Sequence, residues 1–212
     1  MRATVFIIFD KFAERYDKWY VRNKVTALNE LRLVKEILPR SIRVCVEVGG
    51  GTGFFSAETN CVNIDPARNM LAISRKRGVD SVQGVGEHLP IRSSSVDAVL
   101  IIVTLCFVDE PIDLLLEARR VLRDKGSLIT CIVPRESPWG VYYSERRSMS
   151  PFYRYARFYG ISEVHRILIE AGFNIVEEKA TLSYKPWERP RYEAPEKPSP
   201  RHGFVCIRAV KT

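Results

Sequence analysis

The chain has 212 residues, 46% of them hydrophobic, and a formal net charge of +8. This length and apolar content suit a single domain, residues 1–212, with a sizeable core, and argue against a disordered chain. The basic balance favours acidic partners such as nucleic acid, phosphorylated metabolites or anionic surfaces, and no apolar run reaches the length of a membrane span.

The segment from Phe9 to Leu38 reads as helical and forms an N-terminal cap over residues 1–40. Phe9, Phe12, Ala13, Tyr16 and Tyr20 recur at helical spacing, and a second stripe of Leu28, Leu31, Val34 and Leu38 stops at Pro39. Strands and helices then alternate. Arg43 to Val48 is a β-branched run that predicts a strand, and the glycine turn Gly49 to Gly53 follows it. Cys61 to Ile64 predicts a second strand and Pro66 to Arg77 a helix opened by its proline. Ser81 to Gln83 is a short third strand. Val96 to Leu105 is almost continuously apolar, as a central parallel strand covered on both faces should be. Pro111 to Leu122 is a helix, Ser127 to Val133 a fifth strand, and Ser162 to Ala171 a helix stopped by Gly172. Asn174 to Leu182 and Phe204 to Val210 are two final strands. This alternation predicts a mostly parallel α/β sheet with helices on both faces.

Two segments interrupt the order. Residues 135–160 carry eight aromatics, Trp139 among them, with Arg146, Arg147, Arg154 and Arg157, and read as a cap inserted after the fifth strand. Residues 185–203 form a loop with five prolines. Loops of this length are often functional.

Five cysteines (Cys45, Cys61, Cys106, Cys131 and Cys206) form no C-x-x-C pair. Three of them sit inside apolar strands, as free buried thiols in a reducing cytosol would. The apolar run from Thr4 to Phe9 is too short for a signal-peptide core. Both observations point to a soluble cytoplasmic protein. His88, His165 and His202 have no metal-ligand spacing, so no metal site is expected.

The run Val44-Cys-Val-Glu-Val-Gly-Gly-Gly-Thr-Gly53 carries the functional argument. A strand ends in the acid Glu47 and enters Gly49, Gly51 and Gly53, which let the backbone turn sharply and approach a ligand. Eighteen residues beyond Glu47, Asp65 ends the next strand, where a carboxylate can bond a ribose diol. A dinucleotide fingerprint needs G-x-G-x-x-G. From Gly49 the sixth position is Phe54 and from Gly51 it is Ser56, so neither register fits. A carboxylate before the turn repels a pyrophosphate but suits a ligand that bears an ammonium and a sulfonium, as S-adenosylmethionine does.

With these motifs the chain resembles the class I S-adenosylmethionine-dependent methyltransferases, in particular the small prokaryotic type related to the ubiquinone and menaquinone methyltransferases. Phe9-Asp-Lys-Phe-Ala-Glu-Arg-Tyr-Asp-Lys-Trp19 is similar to that family's opening helix, and Glu47 to Gly53 to its first motif. Asp65, Pro66 and Met70-Leu71 match its ribose-binding step. Gly84-Val-Gly-Glu-His-Leu-Pro90 with Ser95-Val-Asp97 matches its adenine-side loop and fourth strand, and Leu116 to Gly126 matches the helix and turn before its fifth strand. The resemblance implies a Rossmann-like three-layer sandwich with a seven-stranded sheet whose last strand is antiparallel. It also implies S-adenosylmethionine as cofactor, with S-adenosylhomocysteine as product. Two departures stand out. Val85 takes the place of an Asp that accepts a bond from the adenine amino group in many members, and the stretch from Gly53 to Cys61 leaves room for about two helical turns.

The expected cofactor residues are Tyr16, Glu47, Gly49, Gly51, Gly53, Asp65, Pro66, Gly86, Glu87 and Thr104. Trp19, Tyr20 and Trp139 are candidates for an acceptor pocket, with core packing as the alternative role. No catalytic residue is assigned. Methyl transfer from a sulfonium is a direct displacement in which alignment supplies much of the catalysis, and a base is needed only where the nucleophile must lose a proton. The expected reaction is methylation of a small molecule. The alternatives are an RNA or protein methyltransferase on the same fold and a non-catalytic S-adenosylmethionine-binding module. Nucleic-acid binding is the less favoured partner class, because Thr104-Leu-Cys-Phe107 lacks the proline-rich signature of base amino-methyltransferases. A homo-oligomer is open.

Overall fold

In the computed structural model, residues 3–211 are described. Three helices open the chain: α1 (Ala3–Lys11), α2 (Ala13–Arg22) and α3 (Lys24–Ile37). The single helical stretch expected from Phe9 to Leu38 is broken twice. Phe12 and Asn23 leave the helical region, with φ/ψ of −112°/23° and −111°/39°. Asn23 closes α2, donating from both its backbone N–H and its side-chain Nδ2 to the Trp19 carbonyl. Leu38 is extended, as a residue before proline tends to be, and it ends α3.

The remaining elements are β1 (Cys45–Val48), α4 (Phe54–Thr59), β2 (Val62–Asp65), α5 (Arg68–Lys76), β3 (Ser81–Gln83), β4 (Val96–Ile102), α6 (Pro111–Val121), β5 (Leu122–Ile132), α7 (Pro138–Glu145), α8 (Ile161–Glu170), β6 (Phe173–Thr181) and β7 (Phe204–Lys211). The seven strands form one sheet in the order β3-β2-β1-β4-β5-β7-β6. β1 to β5 pair in parallel, and β7 runs antiparallel to both β5 and β6. This is the mostly parallel sheet with an antiparallel last strand that the motifs implied.

Apolar side chains leave both faces. Val99 and Ile101 of β4 join a cluster with Leu114 and Leu115 of α6 and Val164 and Leu168 of α8. Ala98, Leu100 and Ile102 of the same strand join a second cluster with Leu33, Val34 and Ile37 of α3. β4 therefore has no polar face, which explains its unbroken hydrophobic run. The order of the strands reverses between β1 and β4. The carboxyl ends of these two strands define the crevice where open α/β sheets bind ligands.

Several boundaries move. β4 stops at Ile102 rather than Leu105, because Val103 has a φ of +51° and a 3-10 turn, Leu105–Phe107, follows. α5 begins at Arg68, with Pro66 in the turn before it rather than in the helix. β5 starts at Leu122.

The expectation of free thiols is corrected. Cys45 pairs with Cys61, and Cys131 with Cys206, in disulfides; Cys106 is free and buried. Strand register is the reason. Cys131 stands opposite Cys206 across β5 and β7, and Cys45 beside Cys61 where β1 meets the start of β2. The cytoplasmic reading loses the support it drew from those thiols. No helix among the described residues is long and apolar enough to cross a membrane.

The proline-rich loop folds back onto the sheet through Glu196, which bridges Ala180, and through buried His202, which is bonded to Ser199 and Glu196. His165 pairs with Glu178. His202 and His165 thus sit in local polar pairs, and no metal-binding cluster of His, Cys, Asp or Glu occurs among the described residues.

Candidate active site

The turn after β1 is built by glycines in the left-handed region. Gly49, Gly51 and Gly53 have φ of +69°, +55° and +75°. A Cβ on Gly49 would stand 2.3 Å from Thr104 Cγ2, so the β1 turn and the end of β4 are in close contact. The Thr104 hydroxyl donates to the Gly49 carbonyl at 3.2 Å. Gly51 differs from its neighbours. A Cβ there would meet only Tyr16 at 3.6 Å and Met70 at 3.9 Å, which leaves an open cradle. Gly53 begins α4 and lies against Ser74.

Asp65 ties the second strand to this turn. One of its oxygens accepts the N–H of Gly51 and the other that of Ala67, both at 2.9 Å. Burial pushes its carboxyl up to about 6, against the lowering effect of those two N–H groups. Glu47 lies beneath the turn, 1% exposed, and accepts the Ser56 hydroxyl. Burial raises it to about 7. Neither acid has an ion pair within 4 Å among the described residues. Buried carboxylates without a cation are costly to ionise, so this end of the sheet is electrostatically suited to a cationic ligand.

Six of the expected residues line one narrow cavity: Tyr16, Gly49, Gly51, Asp65, Pro66 and Thr104. Phe6, Phe9, Met70, Ile102, Val103 and Phe107 complete its lining. Glu47 and Gly53 support the turn without lining the cavity. Gly86 packs beneath Leu114 and Val48, and neither it nor Glu87 reaches the lining.

A second cavity of about 320 Å³ lies beside the first. Trp19 and Tyr20 line it together with Tyr143, Phe152, Tyr153 and Glu30. Trp139 does not. It is 8% exposed and packs in the core against Tyr184, whose carbonyl accepts its indole N–H at 2.7 Å. The acceptor-pocket candidacy of Trp139 therefore gives way to core packing. Five residues belong to both cavities: Phe9, Tyr16, Ile102, Val103 and Phe107. The two spaces therefore adjoin along these side chains. Val103 holds a positive φ at this wall, a strain of about 1–3 kcal/mol for a β-branched residue, and such strain clusters at functional sites.

Sequence reasoning passed over Glu30. Its signal was present: an acid at the spacing of Ala27, Leu31 and Val34 belongs to the buried stripe of α3.

The cavity residues fit S-adenosylmethionine. The Gly51 cradle admits a close ligand, Asp65 keeps acceptor capacity on both oxygens, and Glu47 and Asp65 supply negative charge.

Comparison with known proteins agrees with this geometry. Residues 46–130, from β1 into β5, match the family described as "Methyltransferase domain". A solved structure from Thermotoga maritima superposes with a TM-score of 0.91 and is 36% identical, covering 98% of this chain and 100% of that one; it is described as a SAM-dependent methyltransferase, possible histamine N-methyltransferase. An uncharacterized protein of Methanocaldococcus jannaschii is 34% identical over 205 residues, which cover 96% of this chain and 98% of its own length. The ubiquinone/menaquinone biosynthesis C-methyltransferase of Acidiphilium cryptum is 32% identical over 138 residues, covering 56% of this chain and 54% of that one. The glycine turn at the strand reversal, the paired acids and these likenesses together show that the chain belongs to the class I S-adenosylmethionine-dependent methyltransferases.

Proposed function

We propose that the chain moves the methyl group of S-adenosylmethionine onto a small molecule held in the aromatic cavity. The observation that carries this reading is the shared wall. Phe9, Tyr16, Ile102, Val103 and Phe107 line both spaces, so the two cavities adjoin and a donor in one lies next to an acceptor in the other. Asp65 holds the ribose hydroxyls, the Gly49–Gly51 backbone lies along the donor, and Thr104 lies beside its methionyl group. Glu47 holds the turn and adds negative potential. Gly86 and Glu87 mark the adenine side. The donor brings a methyl carbon on a positively charged sulfur. The protein's part is to align that carbon with the acceptor and to exclude water with the aromatic wall.

An acceptor cavity of this size and aromatic lining favours a small molecule over a folded RNA or protein. The description of the Thermotoga maritima relative accords with a small acceptor. The reading is tested with labelled S-adenosylmethionine against small-molecule, RNA and protein fractions, alongside calorimetry with S-adenosylhomocysteine and NAD. Label should enter the small-molecule fraction, and S-adenosylhomocysteine should bind while NAD does not. Label in RNA or protein would move the acceptor to those classes. Donor binding with no product in any fraction would make the chain a binding module.

A further inference from the structure

The acceptor cavity holds one group that its apolar walls do not explain. Glu30, on α3, lines the cavity and is 8% exposed. Among the described residues it has no hydrogen-bond or ion-pair partner. A lone carboxylate in such a place is costly unless something cationic pairs with it. Aromatic rings surround it. Tyr16 and Tyr20 of α2, Tyr143 of α7 and Tyr153 of the 3-10 turn Tyr153–Tyr155 line the same cavity, and their phenols feel its charge. Ring faces and a buried carboxylate together recognise ammonium groups.

Resting on the methyl-transfer reading above, we infer that this cavity takes its acceptor as an amine, with the Glu30 carboxylate pairing with the ammonium and receiving its proton. The balance is complete. An acceptor R–NH3+ gives one proton to Glu30 and becomes R–NH2. Its nitrogen lone pair forms the bond to the methyl carbon, the carbon–sulfur bond breaks, and that electron pair stays on sulfur. The product R–NH2–CH3+ is cationic, and the proton on Glu30 passes to solvent, which restores the carboxylate.

The other charges near the cavity do not cancel this role. Arg15 and Arg22 line its mouth but are exposed, so water screens them. Glu47, beneath the glycine turn, acts on Tyr16 as a further negative charge. The four tyrosines are pushed upward by burial and stay neutral across the physiological range. Burial alone raises Glu30, to about 8, which lets it hold a proton near neutral pH.

The test uses the whole chain and a panel of primary amines led by histamine and 2-phenylethylamine, with 2-phenylethanol and phenylacetate as uncharged and anionic counterparts. Binding is measured by calorimetry with and without S-adenosylhomocysteine, and methyl transfer is read separately. At least one amine should bind roughly 10- to 100-fold tighter than the alcohol. Glu30→Gln should remove that preference and leave S-adenosylhomocysteine affinity unchanged. The wild-type protein gives a second reading in case the variant fails to fold. Amine affinity should rise from about pH 6 to about pH 8 as Glu30 ionises, and then level off. The inference is overturned if no amine outbinds the alcohol, if the preference survives in folded Glu30→Gln, or if amine affinity is flat over that pH range. A chain that binds S-adenosylhomocysteine but prefers no amine overturns this inference alone. A chain that binds no S-adenosylhomocysteine overturns the methyl-transfer reading beneath it.

Discussion

Asp65, at the end of β2, accepts the backbone N–H of Gly51, in the turn after β1, at 2.9 Å. The carboxylate expected to bind a ribose thus also locks the glycine turn after β1. Truncating it leaves the N–H groups of Gly51 and Ala67 buried without partners, at about 1–3 kcal/mol each. Asp65→Ala should therefore lower the melting temperature as well as weaken S-adenosylhomocysteine binding roughly 10- to 100-fold. Calorimetry and thermal unfolding on the same preparation check both. Full affinity in a folded, destabilised variant would leave Asp65 a turn-holding residue only.

Gly49 and Gly51 share a positive φ but not their surroundings, so alanine should act differently at each. At Gly49 a Cβ collides with Thr104 and prises β1 from β4, so Gly49→Ala should fold poorly. At Gly51 a Cβ enters open space beside Tyr16, and the cost to the fold is about 1–2 kcal/mol for the left-handed backbone. Gly51→Ala should remain folded, retain its acceptor cavity and lose donor affinity at least tenfold. Equal affinity in folded Gly51→Ala would place the donor elsewhere.

The three buried acids set a pH dependence whose sign is opposite to that of salt-bridged carboxylates. Asp65, Glu47 and Glu30 are raised by burial to about 6, 7 and 8 from 3.8, 4.5 and 4.5. Each folded value exceeds its unfolded one, so the stability tied to the protonated forms is fully present below about pH 4 and lost as pH rises to about 8. The half-buried acids Glu117, Glu163 and Asp97 are lowered by their hydrogen bonds and work the other way, losing stability in acid. The ligand-free protein should therefore be most stable near pH 5 and melt progressively lower towards pH 8. Glu30→Gln should reduce that decline, and saturating S-adenosylmethionine should reduce it through Glu47 and Asp65. Unfolding scans across this range are the measurement, and a melting temperature that climbs between pH 5 and 8 contradicts the account.

The parts of the site that are local in the chain are legible in the sequence. The turn after β1 is written in three glycines because glycine accepts a left-handed backbone without steric cost, and Asp65 follows at the spacing of a βαβ unit. The parts that depend on register or on neighbours are not. Nothing in the spacing of Cys131 and Cys206 announces that β5 and β7 place them opposite each other. Trp139 has the same aromatic character as Trp19, yet its indole finds the Tyr184 carbonyl in the core while Trp19 reaches the cavity. Glu30 is hidden among the leucines of α3, because a single acid in an apolar stripe has no motif. Only the packing of α2, α7 and the 3-10 turns around it makes a pocket.

Phe152 joins the aromatic insertion to the N-terminal helices. Its ring lies 5.1 Å from Phe9 of α1 and 5.6 Å from Tyr16 of α2. Phe9 also packs on Phe107, 4.9 Å away, and both line the cavity proposed for the donor. The aromatic insertion and the N-terminal helices are therefore mechanically coupled through one ring cluster, and a ligand that orders one should order the other. Hydrogen exchange should show protection rising in residues 5–16 and 147–155 together when S-adenosylhomocysteine binds. Phe152→Ala removes about 1 kcal/mol of aromatic pairing, enough to speed exchange in α1 without unfolding the sheet, and should weaken S-adenosylhomocysteine severalfold. Pairing with another copy of the chain is the competing use of these aromatics. In that case protection of residues 147–155 would be equal with and without ligand and would fall on dilution, and Phe152→Ala would leave α1 unchanged.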